Sequence, residues 1–175
     1  MTTLLGGHCI CEADLVLNLL AAELVAGGEA GNLPVTKSSA QDLASTARQL
    51  GIRLIPEFNC LGHQGLGDHL YPLLCRNRDF EEPVSPPHSG CHSWCPRHPG
   101  VMPIVRSLMD EIIDAFDADA IHVGMDEVMQ ISSPFCIRGC GGCKTSDLFA
   151  QAVNELHTFV VCQKGLEMLM WATAS

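Results

Sequence analysis

The chain has 175 residues, of which 20 are acidic and 10 are basic, so its formal net charge at pH 7 is −10. This length accommodates one domain with a packed core and leaves little room for a second. Hydrophobic residues make up 47% of the chain, which excludes wholesale disorder. A sequence pI of about 5.1, without a cluster of Lys or Arg, argues against nucleic acid and anionic membrane as partners.

The amino terminus does not have the pattern of a secretion signal. Residues 1–7 contain no Lys or Arg, and Glu12 and Asp14 interrupt the apolar run that follows. The longest apolar stretch, residues 15–22, is far shorter than the roughly 20 residues needed to span a bilayer. The sequence therefore predicts a cytoplasmic protein without a membrane partner, whose ten cysteines are reduced or metal-bound.

Residues 1–33 are poorly assigned, because their pattern suits either a strand or a helix. The first clear element is a helix that begins at an N-cap, Thr36 or Ser38, and ends before Gly51 in the C′ position. Its apolar positions recur at helical spacing and are Ala40, Leu43, Ala44, Ala47 and Leu50. A short buried strand over residues 52–58 follows directly.

The stretch 59–100 is rich in His, Pro and Cys and shows no clear periodicity, so we predict a long loop. Beyond it, the pattern predicts a helix over 101–116, a strand over 119–125, a helix over 147–163 and a strand over 166–172. This alternation of helices and strands indicates an α/β fold with parallel strands.

Polar and aromatic side chains stand at the ends of three consecutive predicted strands. Glu57 and His63 end the first, Asp126 and Glu127 follow the second, and Trp171 ends the third. An isolated Asp-Glu pair is most often part of a solvated loop. The carboxyl ends of parallel strands, however, are where α/β folds build their active sites, so the three strand ends together predict one pocket.

Three short motifs lie at these strand ends. Residues 55–63, Ile-Pro-Glu-Phe-Asn-Cys-Leu-Gly-His, look like the Ile-Pro-Glu-x-x-x-x-Gly-His motif of glycoside hydrolase family 20, the β-N-acetylhexosaminidases. Residues 122–128, His-Val-Gly-Met-Asp-Glu-Val, resemble its His-x-Gly-Gly-Asp-Glu signature. Leu-Met-Trp at 169–171 is similar to the segment that supplies a tryptophan wall to the sugar pocket. The motifs keep the family's order across residues 34–172.

The resemblance implies a partial (β/α)8 TIM barrel. Residues 1–175 would form a single incomplete catalytic domain of about four strand–helix units, with the 59–100 loop on its active face. The family's first-strand arginine has no evident equivalent, and its late-strand tyrosine and acidic residues fall beyond Ser175. An incomplete barrel exposes strand edges and apolar helix faces, so we expect the chain to self-associate.

The resemblance also implies a mechanism that needs no cofactor: a terminal β-linked N-acetylhexosamine leaves with retention, assisted by its own 2-acetamido group. Glu127 would be the acid and base, and Asp126 would orient the acetamido group and stabilise the oxazolinium. His63 would tune the proton affinity of Glu127, and Trp171 would pack on the sugar. The substrate-binding residues implied are His63, His122, Trp171 and Glu57.

Met125 departs from the family pattern, which has a second glycine there, and is expected to place a side chain beside the acidic pair. The short length of the chain, Met125 and the cysteine-rich segments leave two alternatives to an active hexosaminidase open. One is a truncated or degenerate relative that does not turn over substrate, and the other is an interaction module stapled by zinc.

Two cysteine-rich segments have spacings at which thiolates and imidazoles can bind zinc. These are Cys136-x3-Cys140-x2-Cys143, after the second strand, and Cys91-His92-x2-Cys95-x2-His98, in the long loop. Neither is a regular pair of Cys-x2-Cys motifs, so we favour reduced, uninvolved thiols and assign no metal ligand.

Aromatic residues are only 5% of the chain, which favours a site one sugar deep. The candidate aromatic platforms are Tyr71, Trp94 and Trp171.

Overall fold

A computed structural model of the chain describes residues 4–5, 8–9, 14–18, 36–66, 69–70, 72–83, 92–128 and 131–171. The strands in chain order are β1 (Leu4–Leu5), β2 (His8–Cys9), β3 (Asp14–Asn18), β4 (Arg53–Cys60), β5 (Gly65–Leu66), β6 (His69–Leu70), β7 (Ala120–Gly124) and β8 (Glu167–Leu169). The helices are α1 (Lys37–Gln49), α2 (Pro72–Arg76), α3 (Val101–Phe116) and α4 (Thr145–His157), with a 3₁₀ turn at Arg78–Phe80 and a π-helical turn at Thr158–Gln163.

Four strands form one parallel sheet in the order β3–β4–β7–β8. Helix α3 lies between β4 and β7 in the chain, and α4 with its π-helical turn lies between β7 and β8. The α/β fold with parallel strands is therefore confirmed. The pairs β1–β2 and β5–β6 are separate, short antiparallel ladders. None of the described helices is both long enough and apolar enough to cross a membrane.

Helix α1 is capped as its sequence predicts. The hydroxyl of Thr36 accepts a hydrogen bond from the Ser39 amide at 3.1 Å, and Gly51 leaves the helix at φ +72°. The small side chains at three positions are buried: Ala40, Ala44 and Ala47. Leu43 and Leu50, predicted on the apolar face, are instead 42% and 70% exposed. That face packs on α3 through alanines, and the two leucines lie at its margin.

The main core lies between the helices and one face of the sheet. Helix α3 contributes buried side chains at every turn, namely Val101, Val105, Met109, Ile112, Ala115 and Phe116. They meet Leu54 and Phe58 of β4, and Ile121 and Val123 of β7. Burial at positions three and four apart on α3 is the periodicity from which this helix was predicted. Strand β7 is buried at every position, as expected for the continuous apolar run from which it was predicted.

The opposite face of the sheet, here called the far face, carries side chains in successive layers. At the amino ends of the strands, Arg53 pairs with Glu167 at 2.8 Å. The next layer is a separate apolar cluster of Ile55, Ala120 and Leu169. Because alternate residues of a strand point to the same face, Glu57, His122 and Trp171 form the layer above it, toward the carboxyl ends.

The stretch 59–100 contains more regular structure than its sequence pattern reveals: β5, β6, α2, the 3₁₀ turn and a bridge between Glu81 and Trp94. Trp94 is only 1% exposed and lies in the main core, so its prediction as a sugar platform is wrong. Its backbone N–H donates to the Leu61 carbonyl, which ties this stretch to the end of β4. Tyr71 and Cys91 lie outside the described residues, as does most of 1–33.

Candidate active site

The site is built where β4 and β7 end side by side. Glu57 and His122 are register partners, and so are Cys60 and Gly124, so β4 has one extra residue between the two pairs. Such an irregularity bends a strand and redirects the side chains that follow it. Beyond this point β4 continues into His63, and β7 continues into Asp126 and Glu127.

Gly124 allows the two strand ends to approach. Its φ is +66°, and a Cβ there would lie 2.2 Å from Oδ1 of Asn59 and 3.0 Å from the Cα of Asn59. Real Cβ atoms do not come this close to other atoms, so a side chain would force the strands apart. The glycine of the second motif is thus required both by its backbone conformation and by the close packing of β4.

Gly62 allows a similarly close approach between the two loops that follow β4 and β7. A Cβ at this position would lie 2.7 Å from the carbonyl oxygen of Asp126 and 3.4 Å from that of Glu127. The backbone before His63 is therefore in direct contact with the backbone of the acidic pair. This contact fixes the position of the His63 loop relative to both carboxylates.

Left-handed backbone conformations concentrate at these two strand ends. Among the described residues other than glycine, five have positive φ, and four of them lie here: Leu61 (65°), His63 (52°), Met125 (72°) and Glu127 (45°). Such conformations cost free energy and persist where the surrounding packing enforces them, as in active sites. The Met125 side chain is only 1% exposed and belongs to the main core, so it is buried next to the acidic pair in the chain and does not lie on the open surface of the site.

His63 lies opposite the two carboxylates. Its Nε2 is 3.2 Å from Oδ2 of Asp126 and 3.5 Å from Oε2 of Glu127. The Glu127 side chain is 61% exposed, which leaves it accessible to a ligand. By contrast, Oδ1 of Asp126 is buried and has no hydrogen-bond partner within the described part of the chain. One ring nitrogen thus faces both acids, and Asp126 presents a buried acceptor that no described residue supplies with a donor.

Glu57, His122 and Trp171 form a second group directly below. The indole N–H of Trp171 donates to Oε1 of Glu57 at 3.0 Å, and the Trp171 and His122 rings lie 4.5 Å apart between centroids. Nδ1 of His122 accepts a hydrogen bond from the Gly124 amide at 3.1 Å, so a neutral His122 carries its proton on Nε2. Burial, reinforced by the charge of nearby Glu57, raises the pKa of the Cys60 thiol well above its usual value.

The structure brings the six predicted site residues together in these two groups, both at the carboxyl edge of the sheet. One group is His63, Asp126 and Glu127, and the other is Glu57, His122 and Trp171. Asn59, which packs on Gly124, was not among the predicted site residues, because no motif or spacing singles it out. Chemically, the accessible carboxyl group of Glu127 can transfer a proton, and Oδ1 of Asp126 beside it can accept a hydrogen bond. The indole of Trp171 provides an aromatic surface.

Parallel strands with acidic and aromatic side chains at their carboxyl ends are the arrangement of an α/β enzyme active site. The chain belongs to glycosyl hydrolase family 20, because the model of that family's catalytic domain matches residues 21–175. No curated protein matches the chain.

Solved structures of similar fold include a β-N-acetylhexosaminidase from Bacteroides fragilis, with 17% identity and a TM-score of 0.61 over 86% of this chain and 30% of that one. A chitobiase from Flavobacterium johnsoniae has 17% identity and a TM-score of 0.67, covering 89% of this chain and 24% of that one. An exo β-N-acetylglucosaminidase from Vibrio harveyi, solved with N-acetylglucosamine, has 24% identity and a TM-score of 0.54, covering 78% and 22%. This chain thus spans under a third of the length of these three proteins.

Proposed function

We propose that this chain carries the catalytic centre of a β-N-acetylhexosaminidase that removes terminal β-linked N-acetylhexosamine with retention of configuration. Membership of the family supports a carbohydrate substrate. The observation that carries the proposal is Oδ1 of Asp126, a buried acceptor without a described partner, adjacent to the accessible carboxyl group of Glu127. An acetamido N–H is a donor of the kind that such an oxygen requires.

The reaction needs no nucleophile from the protein. The carbonyl oxygen of the 2-acetamido group attacks the anomeric carbon, and the bond from that carbon to the leaving oxygen breaks. Glu127 gives its proton to the leaving oxygen, which produces an alcohol and a cyclic oxazolinium. Glu127 then takes a proton from water as the water oxygen attacks the anomeric carbon, and the acetamido group is restored.

Asp126 has the electrostatic task in this scheme. Its Oδ1 accepts the acetamido N–H and holds the carbonyl oxygen toward the anomeric carbon, and its negative charge stabilises the cationic oxazolinium. Nε2 of His63 lies within 3.5 Å of both acids, from where it tunes how readily Glu127 gives and takes its proton.

Trp171 is the proposed wall of the sugar site. Its indole is fixed by Glu57 on one side and by the His122 ring on the other, so these two residues position the wall. A preorganised aromatic surface binds the sugar with little loss of side-chain entropy on binding. In this scheme His63, His122, Trp171 and Glu57 serve substrate binding, and Asp126 and Glu127 serve the chemistry.

The sheet is proposed to be part of a (β/α)8 barrel. The far face supports this, because it carries an apolar layer of Ile55, Ala120 and Leu169 and a polar layer of Glu57, His122 and Trp171. Barrel interiors are filled by such layers contributed by neighbouring strands. The cytoplasmic location stays a prediction.

The test is hydrolysis of a chromogenic N-acetyl-β-glucosaminide by the purified chain and by Glu127→Gln. Gln keeps the size of the side chain but cannot transfer the proton, so kcat should fall by roughly 10²–10⁴-fold, which is the contribution of a general acid or base. Glu111→Gln, on the exposed outer side of α3, is the matched control and should leave turnover unchanged.

A second assay follows binding of a thiazoline analogue of the oxazolinium. Asp126→Asn should weaken this binding because it removes the charge that faces the cation, whereas Glu111→Gln should not. Equal turnover by the wild type and Glu127→Gln would refute the role of Glu127. A folded chain that neither hydrolyses the substrate nor binds the analogue would instead support the alternative of a non-catalytic relative.

A further inference from the structure

A second cluster of chemically active side chains lies outside the candidate active site. Glu82, Cys95, Cys136 and Cys140 place one carboxylate oxygen and three sulfur atoms within 4.8 Å of one another. All four side chains are buried, with exposures of 1%, 0%, 7% and 0% in that order. The sequence analysis singled out the three cysteines but not the glutamate.

Three separate segments converge to form the cluster. The segments that carry Glu82 and Cys95 are joined by backbone hydrogen bonds, from the Glu82 N–H to the Ser93 carbonyl and from the Cys95 N–H to the Phe80 carbonyl. The third segment is the loop after β7, in which tight turns begin at Cys136 and at Cys140. These turns direct both thiols of the loop inward.

Only one of the two carboxylate oxygens of Glu82 has a hydrogen-bond donor among the described residues. Its Oε1 accepts the Ser133 N–H at 3.1 Å, but its Oε2 is buried and has no hydrogen-bond partner in the part of the chain that is described. The thiols around it are only weak donors. A buried carboxylate oxygen left in this state costs stability unless a cation or a strong donor completes it.

The sulfur atoms have the spacing of metal ligands. Sγ of Cys95 is 3.5 Å from Sγ of Cys136 and 3.6 Å from Sγ of Cys140. Disulfide sulfurs lie only about 2.0 Å apart, so the three thiols are not paired in a covalent bond. Tetrahedral zinc with Zn–S bonds of about 2.3 Å places its sulfur ligands about 3.8 Å apart, close to the distances observed.

We propose that Glu82, Cys95, Cys136 and Cys140 bind one structural zinc ion, with three thiolates and one carboxylate oxygen as its tetrahedral ligands. Zinc accepts this mixture of sulfur and oxygen donors, and four protein ligands leave no position open for substrate. Each thiol loses its proton to solvent as its Zn–S bond forms. The proposal thus gives a role to three cysteines that the sequence alone favours as free thiols.

The other candidates from the sequence that the structure describes are Cys143, His92 and His98, and each lies in a different interaction. Sγ of Cys143 donates to the Gly139 carbonyl at 3.3 Å. Nδ1 of His92 is 2.5 Å from Oε1 of Glu81, and Nε2 of His98 is 3.2 Å from Oδ2 of Asp79. Cys143 therefore provides a matched control, since it belongs to the same loop but not to the cluster.

The ion would join the 59–100 stretch to the loop that follows the acidic pair. The Trp94 N–H, next to Cys95, donates to the Leu61 carbonyl, and the Gln64 N–H donates to the His92 carbonyl. These two bonds flank His63. Zinc at the cluster thus holds in place the segment on which the His63 loop rests, while taking no part in catalysis.

The experiment measures bound metal in the full chain purified with zinc present. Elemental analysis after dialysis is expected to give one zinc per wild-type chain. The variants Cys136→Ser, Cys140→Ser and Glu82→Ala should each retain less than a tenth of that amount. The control Cys143→Ser should retain as much zinc as the wild type. Cobalt(II) exchanged into the wild type should show thiolate-to-metal charge transfer and the visible bands of tetrahedral coordination. The cobalt spectrum requires only the wild type, so it tests the proposal even if a ligand variant fails to fold.

Three results would overturn the proposal. The first is a folded wild type that retains no stoichiometric zinc. The second is a cobalt spectrum without thiolate charge transfer. The third is metal that remains in the Cys136→Ser variant but is lost from Cys143→Ser.

Discussion

Replacement of Gly124 by alanine separates two reasons why this position holds a glycine. The first is its φ of +66°, which costs an L-residue about 1–2 kcal/mol. Alanine recovers roughly 0.4–1 kcal/mol of this because it restricts the unfolded chain. The second reason is the contact with Asn59, since a Cβ would lie 2.2 Å from its Oδ1 and 3.0 Å from its Cα. Overpacking of this kind costs about 1–3 kcal/mol more.

Two other glycines serve as controls. Gly51 and Gly165 have φ of +72° and +70°, and a Cβ on either would meet no atom within 4 Å. Gly51→Ala and Gly165→Ala should therefore cost about 1 kcal/mol each, and Gly124→Ala about 2–4 kcal/mol. Urea unfolding followed by circular dichroism measures all three. If Gly124→Ala costs no more than the controls, within about 0.5 kcal/mol, close packing of β4 on β7 is not what requires the glycine.

Two further predictions concern Met125 and the edges of the sheet. Met125→Gly should destabilise the chain by roughly 1–3 kcal/mol. Loss of a buried methionine side chain costs about 2–5 kcal/mol, whereas relief of its positive φ returns only about 1–2 kcal/mol. A melting temperature at or above that of the wild type would contradict this prediction. The chain should self-associate through β3 and β8, the outer strands of the described sheet. Size-exclusion chromatography with light scattering checks this, and a sharp monomer peak at all concentrations would refute it.

The elements that dominate the fold were predictable because local patterns determine them. The prediction over 101–116 matches α3 to the residue, and the predicted strands over 52–58 and 119–125 match β4 and β7 to within two residues. Periodicity could not show that Leu50 lies beyond the reach of the core. It also could not show that the helix after β7 ends in a π-helical turn, because both depend on how neighbouring elements pack.

The candidate site was predictable as a set of strand ends but not as a geometry. Parallel strands end at one edge, so side chains after each strand had to converge. The left-handed backbone at Met125, which turns its side chain into the core, has no signal in a single sequence. Glu82 was missed for a similar reason, since it meets Cys95 and Cys136 only through tertiary contacts and has no regular spacing from either.

The chain has two tryptophans, one at the candidate active site and one beside the cysteine cluster. Trp171 touches Glu57 and His122, whereas Trp94 is buried next to Cys95. Indole emission responds to nearby protonated imidazoles, carboxylates and paramagnetic ions. A single-tryptophan variant that keeps Trp171 thus gives an optical signal for sugar binding, and one that keeps Trp94 gives a signal for cobalt at the cysteine cluster. Each of the two centres can therefore be followed by the fluorescence of its own tryptophan, without any added label.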